Sequence, residues 1–111
     1  LLPAAGVEGA PVVVSAALGA ATEILTIEFD VPIDGEASTA VAEQFTVTDG
    51  VDTFAGVAFV DLVGAVLRVQ MDLPGALPLE LTCAMAGGPG QLRGIGGGVV
   101  APFAGVAVAL G

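Results

Sequence analysis

The sequence predicts an all-β fold, a two-sheet sandwich of about seven mostly antiparallel strands. Three observations carry this. Apolar and polar residues alternate at period two in three separate segments. Clusters of Gly, Pro and Asp divide the chain at strand-length intervals. Helical spacing is partial and confined to Glu36–Gln44, through Ala40, Val41 and Phe45.

The elements follow in order. Val12–Leu18 is apolar and reads as a first, weaker strand. In Glu23–Asp30, Leu25, Ile27 and Phe29 face one way and Thr26, Glu28 and Asp30 the other. Val31-Pro32-Ile33-Asp34-Gly35 ends that strand, and a helical turn within Glu36–Gln44 leads to a short strand, Phe45–Thr48. Asp49-Gly50 makes the next turn, before a strand at Val57–Val63. Val63-Gly64-Ala65 separates it from Val66–Leu73, where Leu67, Val69, Met71 and Leu73 point inward and Arg68, Gln70 and Asp72 outward. Leu73-Pro74-Gly75-Ala76 precedes Leu79–Met85, in which Leu79, Leu81, Cys83 and Met85 alternate with Glu80, Thr82 and Ala84. Gly87-Gly88-Pro89-Gly90 and Gly94–Gly98 then form one long glycine-rich connection to a last strand, Val106–Leu110. The expected core is Leu25, Ile27, Phe29, Phe45, Val47, Leu67, Val69, Met71, Leu79, Leu81 and Met85.

The 111 residues suit one domain, with 12–111 as the sandwich and 1–11 as an N-terminal docking segment. Hydrophobic residues make up 55% of the chain, and there are 17 glycines. That is more apolar side chain than one small core uses, so part of the outside is expected to be covered by neighbours. Twelve carboxylates face two arginines and no lysine, a net charge of −10. Such a chain has little with which to neutralise phosphates, which excludes nucleic acid as a partner. Its hydrophobicity excludes disorder. The uncharged stretch Ile95–Gly111 is shorter than the ~20 residues of a spanning helix and is broken by glycines and Pro102, so no membrane span is expected. Leu1–Ala21 holds Glu8, Pro3 and Pro11 without a basic start, unlike a signal peptide. Cys83 has no second cysteine to pair with and reads as a small core residue.

Chemistry is thinly supplied. Ser15, Ser38, the threonines and Cys83 have no His or Lys to activate them. A carboxylate pair performing glycoside hydrolysis would lack Trp and Tyr to stack on a sugar. No enzyme is expected, and no catalytic residue is assigned. Oxygen ligands suit calcium, and the candidates are Asp30, Asp34 and Glu36 in one loop region and Asp49 and Asp52 in another; neither matches an EF-hand loop. Acidic residues at strand ends more often solvate and protect edges. The run Gly94-Ile95-Gly96-Gly97-Gly98 lacks the Lys-Ser/Thr ending of a phosphate loop and reads as a bulged hairpin connection. Arg68 and Arg93 are expected to pair with carboxylates, and to be the anchors of any charged interface.

The succession TEILTIEFDVPID, AEQFTVTDG, GAVLRVQMDLP and LPLELTCAMAGGPGQLRGIGGGVVAPFAGVAV resembles the bacterial immunoglobulin-like repeat domains. Those occur as tandem modules in large bacterial surface proteins and as accessory modules in phage virion proteins. The resemblance covers residues 12–110. Its most specific part is Leu92-Arg93 with Val100-Ala101-Pro102-Phe103-Ala104-Gly105-Val106-Ala107-Val108, similar to the family's last hairpin. Where the family has an Asp and an Asn in that connection, this chain has Gly94 and Gly97 or Gly98, so no ion or turn role of polar residues carries over. The resemblance implies an immunoglobulin-like sandwich with a structural role.

The expectation is therefore a non-enzymatic phage virion structural protein, a capsid decoration or cement protein or a tail accessory protein. It would sit on the virion surface in many copies, against the major capsid or tail protein and copies of itself, as a homo-oligomer or part of a symmetric assembly. Leu1, Leu2, Val7, Val12 and Val13, with Arg68 and Arg93, are the expected contact residues. The alternative is one repeat of a bacterial surface adhesin or S-layer-like protein at the cell surface, stabilised by calcium. A carbohydrate-binding sandwich fits less well without Trp and Tyr. The alternation itself makes a prediction. Leu81→Ala should cost about 2–5 kcal/mol in a denaturant titration, and Glu80→Ala less than about 0.5 kcal/mol. Equal losses would contradict the assignment of faces.

Overall fold

A computed structural model describes residues 11–19, 21–36, 38–73, 81–86, 90–96 and 98–110. It contains seven strands: β1 Val13–Leu18, β2 Ile24–Phe29, β3 Phe45–Thr48, β4 Thr53–Val63, β5 Val66–Met71, β6 Thr82–Met85 and β7 Phe103–Leu110. Of the helical turn expected at Glu36–Gln44, the described residues form a single turn of 3-10 helix, Ala42–Gln44. The expected all-β class and the seven strands are present, in the expected order. Residues 79 and 80 of the expected sixth strand lie outside the described residues.

The strands alternate as the sequence predicts. Leu25, Ile27 and Phe29 are buried and Glu28 is exposed; Leu67, Val69 and Met71 are buried and Arg68 is exposed. Phe45, Val47, Leu81, Cys83 and Met85 complete the expected core, with the expected Leu79 outside the described residues. Leu18, Ile33, Leu92, Val100 and Val108 are also buried, and the sequence pattern did not single them out. Leu73, expected to face inward, is partly buried against the core.

The hydrogen bonding differs from that of two separate sheets. The strands form a closed ring in the order β1-β2-β5-β4-β3-β6-β7. Every neighbouring pair is antiparallel except β1 and β7, which are parallel. The cause is the length of two strands. β4 has 11 residues. It pairs with β3 through Thr53, Phe54 and Ala55, then with β5 from Gly56 to Val63. β7 does the same, pairing with β6 up to Ala107 and with β1 from Val108 to Leu110. Each long strand thus joins one half of the ring to the other. Closure removes most free edges, the usual liability of β-proteins.

Gly56 is the residue at which β4 changes partner. A Cβ there would lie 2.5 Å from the Ala42 carbonyl oxygen and 2.7 Å from Val69 Cγ1. Only glycine lets β4 pass so close to the 3-10 turn. The other flank of the turn is built similarly: a Cβ on Gly90 would collide with the Thr39 carbonyl. Gln44 locks the three segments together. It is 6% exposed. Its Oε1 accepts from the Val41 N–H at 2.9 Å, and its Nε2 donates to the Ala86 and Gly90 carbonyls, each at 3.0 Å. A buried amide satisfied on both sides stabilises, whereas a lost partner leaves orphaned backbone groups.

Within the glycine-rich connection the described residues make a small antiparallel pairing. Arg93 bridges Val99, and the Gly94 N–H donates to the Gly98 carbonyl at 2.9 Å. Gly94 also bridges Ile33, tying the connection to the chain after β2.

The close approach at Gly56 is testable. Gly56→Ala should lower stability by about 1–3 kcal/mol, because the added methyl meets backbone that cannot yield cheaply. Ala55→Gly, one residue away, should cost only about 0.5–1 kcal/mol. Urea titrations measure both; a Gly56→Ala protein as stable as the parent would contradict the packing described.

Candidate functional site

Among the described residues, the side chains able to do chemistry are dispersed, and several are engaged in the protein's own hydrogen bonds. Cys83 is 1% exposed in the core, where burial pushes its thiol up to about 11. It stays protonated at neutral pH and is a poor nucleophile. Three of the five candidate calcium ligands, Asp30, Asp34 and Asp49, spend a carboxylate oxygen on a backbone N–H, whereas Glu36 and Asp52 enter those turns through backbone atoms. Asp30 Oδ1 accepts from the Val12 N–H at 2.9 Å, and the Asp30 N–H donates to the Val12 carbonyl at 2.9 Å, stapling the start of β1 to the end of β2. Asp34 Oδ1 accepts from the Glu36 N–H at 3.1 Å. Asp49 Oδ1 accepts from the N–H groups of Asp52 at 2.7 Å and Val51 at 2.8 Å. Those bonds, the Asp52 one foremost, hold its carboxyl below the usual carboxylate range. Asp52 offers its carbonyl to the Thr48 hydroxyl at 2.7 Å. Among the described residues, no three His, Cys, Asp or Glu side chains gather as a metal-binding group.

The two arginines have separate duties. Asp61 on β4 stands opposite Arg68 on β5. Arg68 Nε donates to Asp61 Oδ1 at 2.8 Å, and Nη2 donates to Oδ2. The paired guanidinium lowers the Asp61 pKa, and the carboxylate raises that of Arg68. Arg93 belongs to the connection before β7. Its N–H donates to Ser38 Oγ at 2.9 Å, its carbonyl accepts from the Asp34 N–H at 2.8 Å, and its Nη2 donates to Gln91 Oε1 at 3.3 Å.

Exposed apolar side chains are the more distinctive feature. Val12 and Val14, at the start of β1, are 61% and 62% exposed, and Val13 is half-buried. The expected contact residues Leu1, Leu2 and Val7 lie outside the described residues. A second group, on the far half of β4, was not expected: Val57, Phe59, Val60 and Val63 are all exposed, Val63 at 68%. The register of β4 against β5 slips between Gly56 and Ala58 and again between Phe59 and Asp61. These two bulges leave Val57 and Val60 without a partner residue on β5. Phe59 leans inward, with its ring edge-to-face on Phe45 at 5.8 Å and 77°. Behind it lies a cleft of ≈ 270 Å³ lined by Gly35, Ser38, Ala40, Leu62, Leu67 and Leu92, with Asp61 at its wall.

Because β3 takes only Thr53–Ala55, the side of β4 facing away from β5 has no strand partner from Val57 to Val63 among the described residues. The sequence did carry a signal for this strip. Val57-Ala58-Phe59-Val60 and Leu62-Val63 are apolar at both phases of the alternation, unlike β2 or β5. A larger groove of ≈ 510 Å³ runs between the Thr48–Gly50 turn, Leu81–Thr82 and Ala107–Val108. Among the described residues Asp49 is its one ionisable lining residue, and its Oδ1 is bound to its own turn. No protein-family model, curated protein or solved structure matches the chain.

Proposed function

We propose that this chain is a non-enzymatic, immunoglobulin-like structural module that docks in many copies on a larger particle, as a phage capsid decoration or cement protein, or a tail accessory protein, at the virion surface. The single observation behind the reading is the solvent-exposed apolar surface around the start of β1 and along β4, on a chain in which no cluster of metal-ligating side chains forms among the described residues. Apolar surface left in water is the usual mark of a protein–protein contact. The strand order supports the immunoglobulin-like assignment. β1-β2-β5-β4 on one side and β3-β6-β7 on the other is the arrangement of a seven-strand immunoglobulin sandwich, here joined at β4 and β7.

Charge adds a requirement on the partner. At net −10, free copies repel one another and stay soluble. A docking surface must supply Lys or Arg around an apolar patch, and its attachment weakens as salt screens the attraction.

A second reading, one repeat of a tandem bacterial surface protein, draws on a different observation. β1 and β7 run parallel, so the chain enters the fold at one end and leaves at the other. The long axis is 49 Å against 23 and 22 Å, a shape suited to modules joined end to end.

Co-sedimentation with the assembled particle tests the first reading. The intact chain should pellet with the particle, less so in high salt. A variant lacking Leu1–Ala10 should bind at least about tenfold more weakly, a loss of ~1.4 kcal/mol, with its denaturation midpoint unchanged. Truncated protein that binds as well as the parent would refute the docking segment. A chain that binds no particle would transfer the assignment to the tandem surface repeat.

A further inference from the structure

We propose that the outer edge of β4, Val57–Val63, pairs antiparallel with the same edge of a second copy of this chain. The inference deepens the docking reading and rests on it only in treating the module as a binding unit. An edge strand presents backbone N–H and C=O groups that template another strand, and here one side of β4 has no strand partner along this stretch among the described residues. Natural edges are guarded by charged side chains, lysine above all, by proline or by bulges that twist the strand away. Val57-Ala58-Phe59-Val60-Asp61-Leu62-Val63 has no lysine and no proline. Its one charge, Asp61, is neutralised by Arg68 of the same chain. The two bulges twist the strand, but the side chains they free from the ladder are Val57 and Val60, so they expose apolar surface and not charge.

Two arguments select a second copy as the occupant. The first is symmetry. An antiparallel two-fold about Val60 sets Val57 against Val63, Ala58 against Leu62, Phe59 against the Arg68-paired Asp61, and Val60 against itself, so a largely apolar strip is presented from both sides. The second is electrostatic. Copies at net −10 repel over most of their surface, and a strip without uncompensated charge is where two of them can meet at least cost. The strip is about 20 Å long and offers less than the ~800 Å² per partner of a standard interface. The contact is therefore weak between free copies and becomes populated where copies are held side by side, because local concentration then replaces affinity.

The salt dependence identifies the occupant. Self-pairing against like-charge repulsion strengthens with added salt, whereas a basic partner's strand would bind less tightly. Sedimentation equilibrium on the full chain, at concentrations up to about 1 mM, should show a monomer–dimer equilibrium. The dissociation constant should fall at least about tenfold between about 0.02 M and about 0.5 M NaCl. Val60→Lys and, independently, Val63→Lys should each raise it at least about tenfold. Val51→Lys, in the turn at the other end of β4, should leave it unchanged. Arg68→Gln strips Asp61 of its counter-ion near the two-fold, so it should weaken the dimer in low salt and much less in high salt. A protein monomeric throughout the series, or a dimer untouched by Val60→Lys and Val63→Lys, overturns the proposal. Particle binding without dimerisation would remove the strand pairing and leave the docking reading standing. Dimerisation without particle binding would do the reverse.

Discussion

The fold depends on three backbone segments meeting around one buried amide. The 3-10 turn at Ala42–Gln44 lies between β4 at Gly56 and the chain at Gly90, with contact distances that tolerate no side chain on either glycine. Gln44 fills the junction and satisfies a donor from Val41 and acceptors on Ala86 and Gly90. Networks of this kind are worth most when complete, because the same low dielectric that strengthens each bond penalises an unpaired one. The turn delivers the chain directly into Phe45 and β3, and it sets where β4 can pass. From that point β4 reaches β3 on one side of Gly56 and β5 on the other, and the ring closes.

Closure has a consequence for the surface. β3 has four residues, so it cannot accompany β4 along its full eleven. The surplus length keeps its pairing with β5 and loses it on the other side. The bulges at Val57 and Val60 fall on this unaccompanied half. The apolar strip therefore follows from the same geometry that shuts the core. Elsewhere the carboxylates keep copies apart, and the one acidic residue within the strip is paired in cis with Arg68. The division between a repelling surface and a neutral seam is the physical basis of the docking reading.

Much of this was legible in the residues. Leu25, Ile27, Phe29, Leu67, Val69 and Met71 sit in clean alternation, and burial on one face is what alternation encodes. The sequence pattern located β4 and β7 only in part, at Val57–Val63 and Val106–Leu110. The missed portions, Thr53–Gly56 and Phe103–Gly105, contain Ala55, Gly56, Ala104 and Gly105, whose small side chains blur any period. The missed part of β4 carries all of its pairing with β3, and the missed part of β7 carries the Phe103–Met85 end of its pairing with β6, so ring closure went unseen while the strand count did not. The role of Gln44 depends on contacts more than forty residues away in the chain, which no local pattern reports. The acidic residues were readable as turn formers, but not which N–H each would accept from. For the surface, the contact residues expected near the N-terminus reach the described region at Val12 and Val13, whereas the pattern predicts a strand at Val57–Val63 with neither face assigned, so its exposure was not foreseen.

Residue-resolved amide hydrogen exchange in dilute, low-salt solution tests the central claim, that β4 changes partner at Gly56 and leaves its far half open. The account predicts protected amides at Thr53–Ala55 wherever they bond to β3. From Val57 to Val63 it predicts an alternation, with amides directed at β5 exchanging slowly and those on the outer edge exchanging as solvent-exposed groups do. Uniform protection along Val57–Val63 would mean that the edge is covered in the single chain. Uniformly fast exchange from Thr53 to Ala55 would mean that β4 never joins β3. Either result would contradict the account.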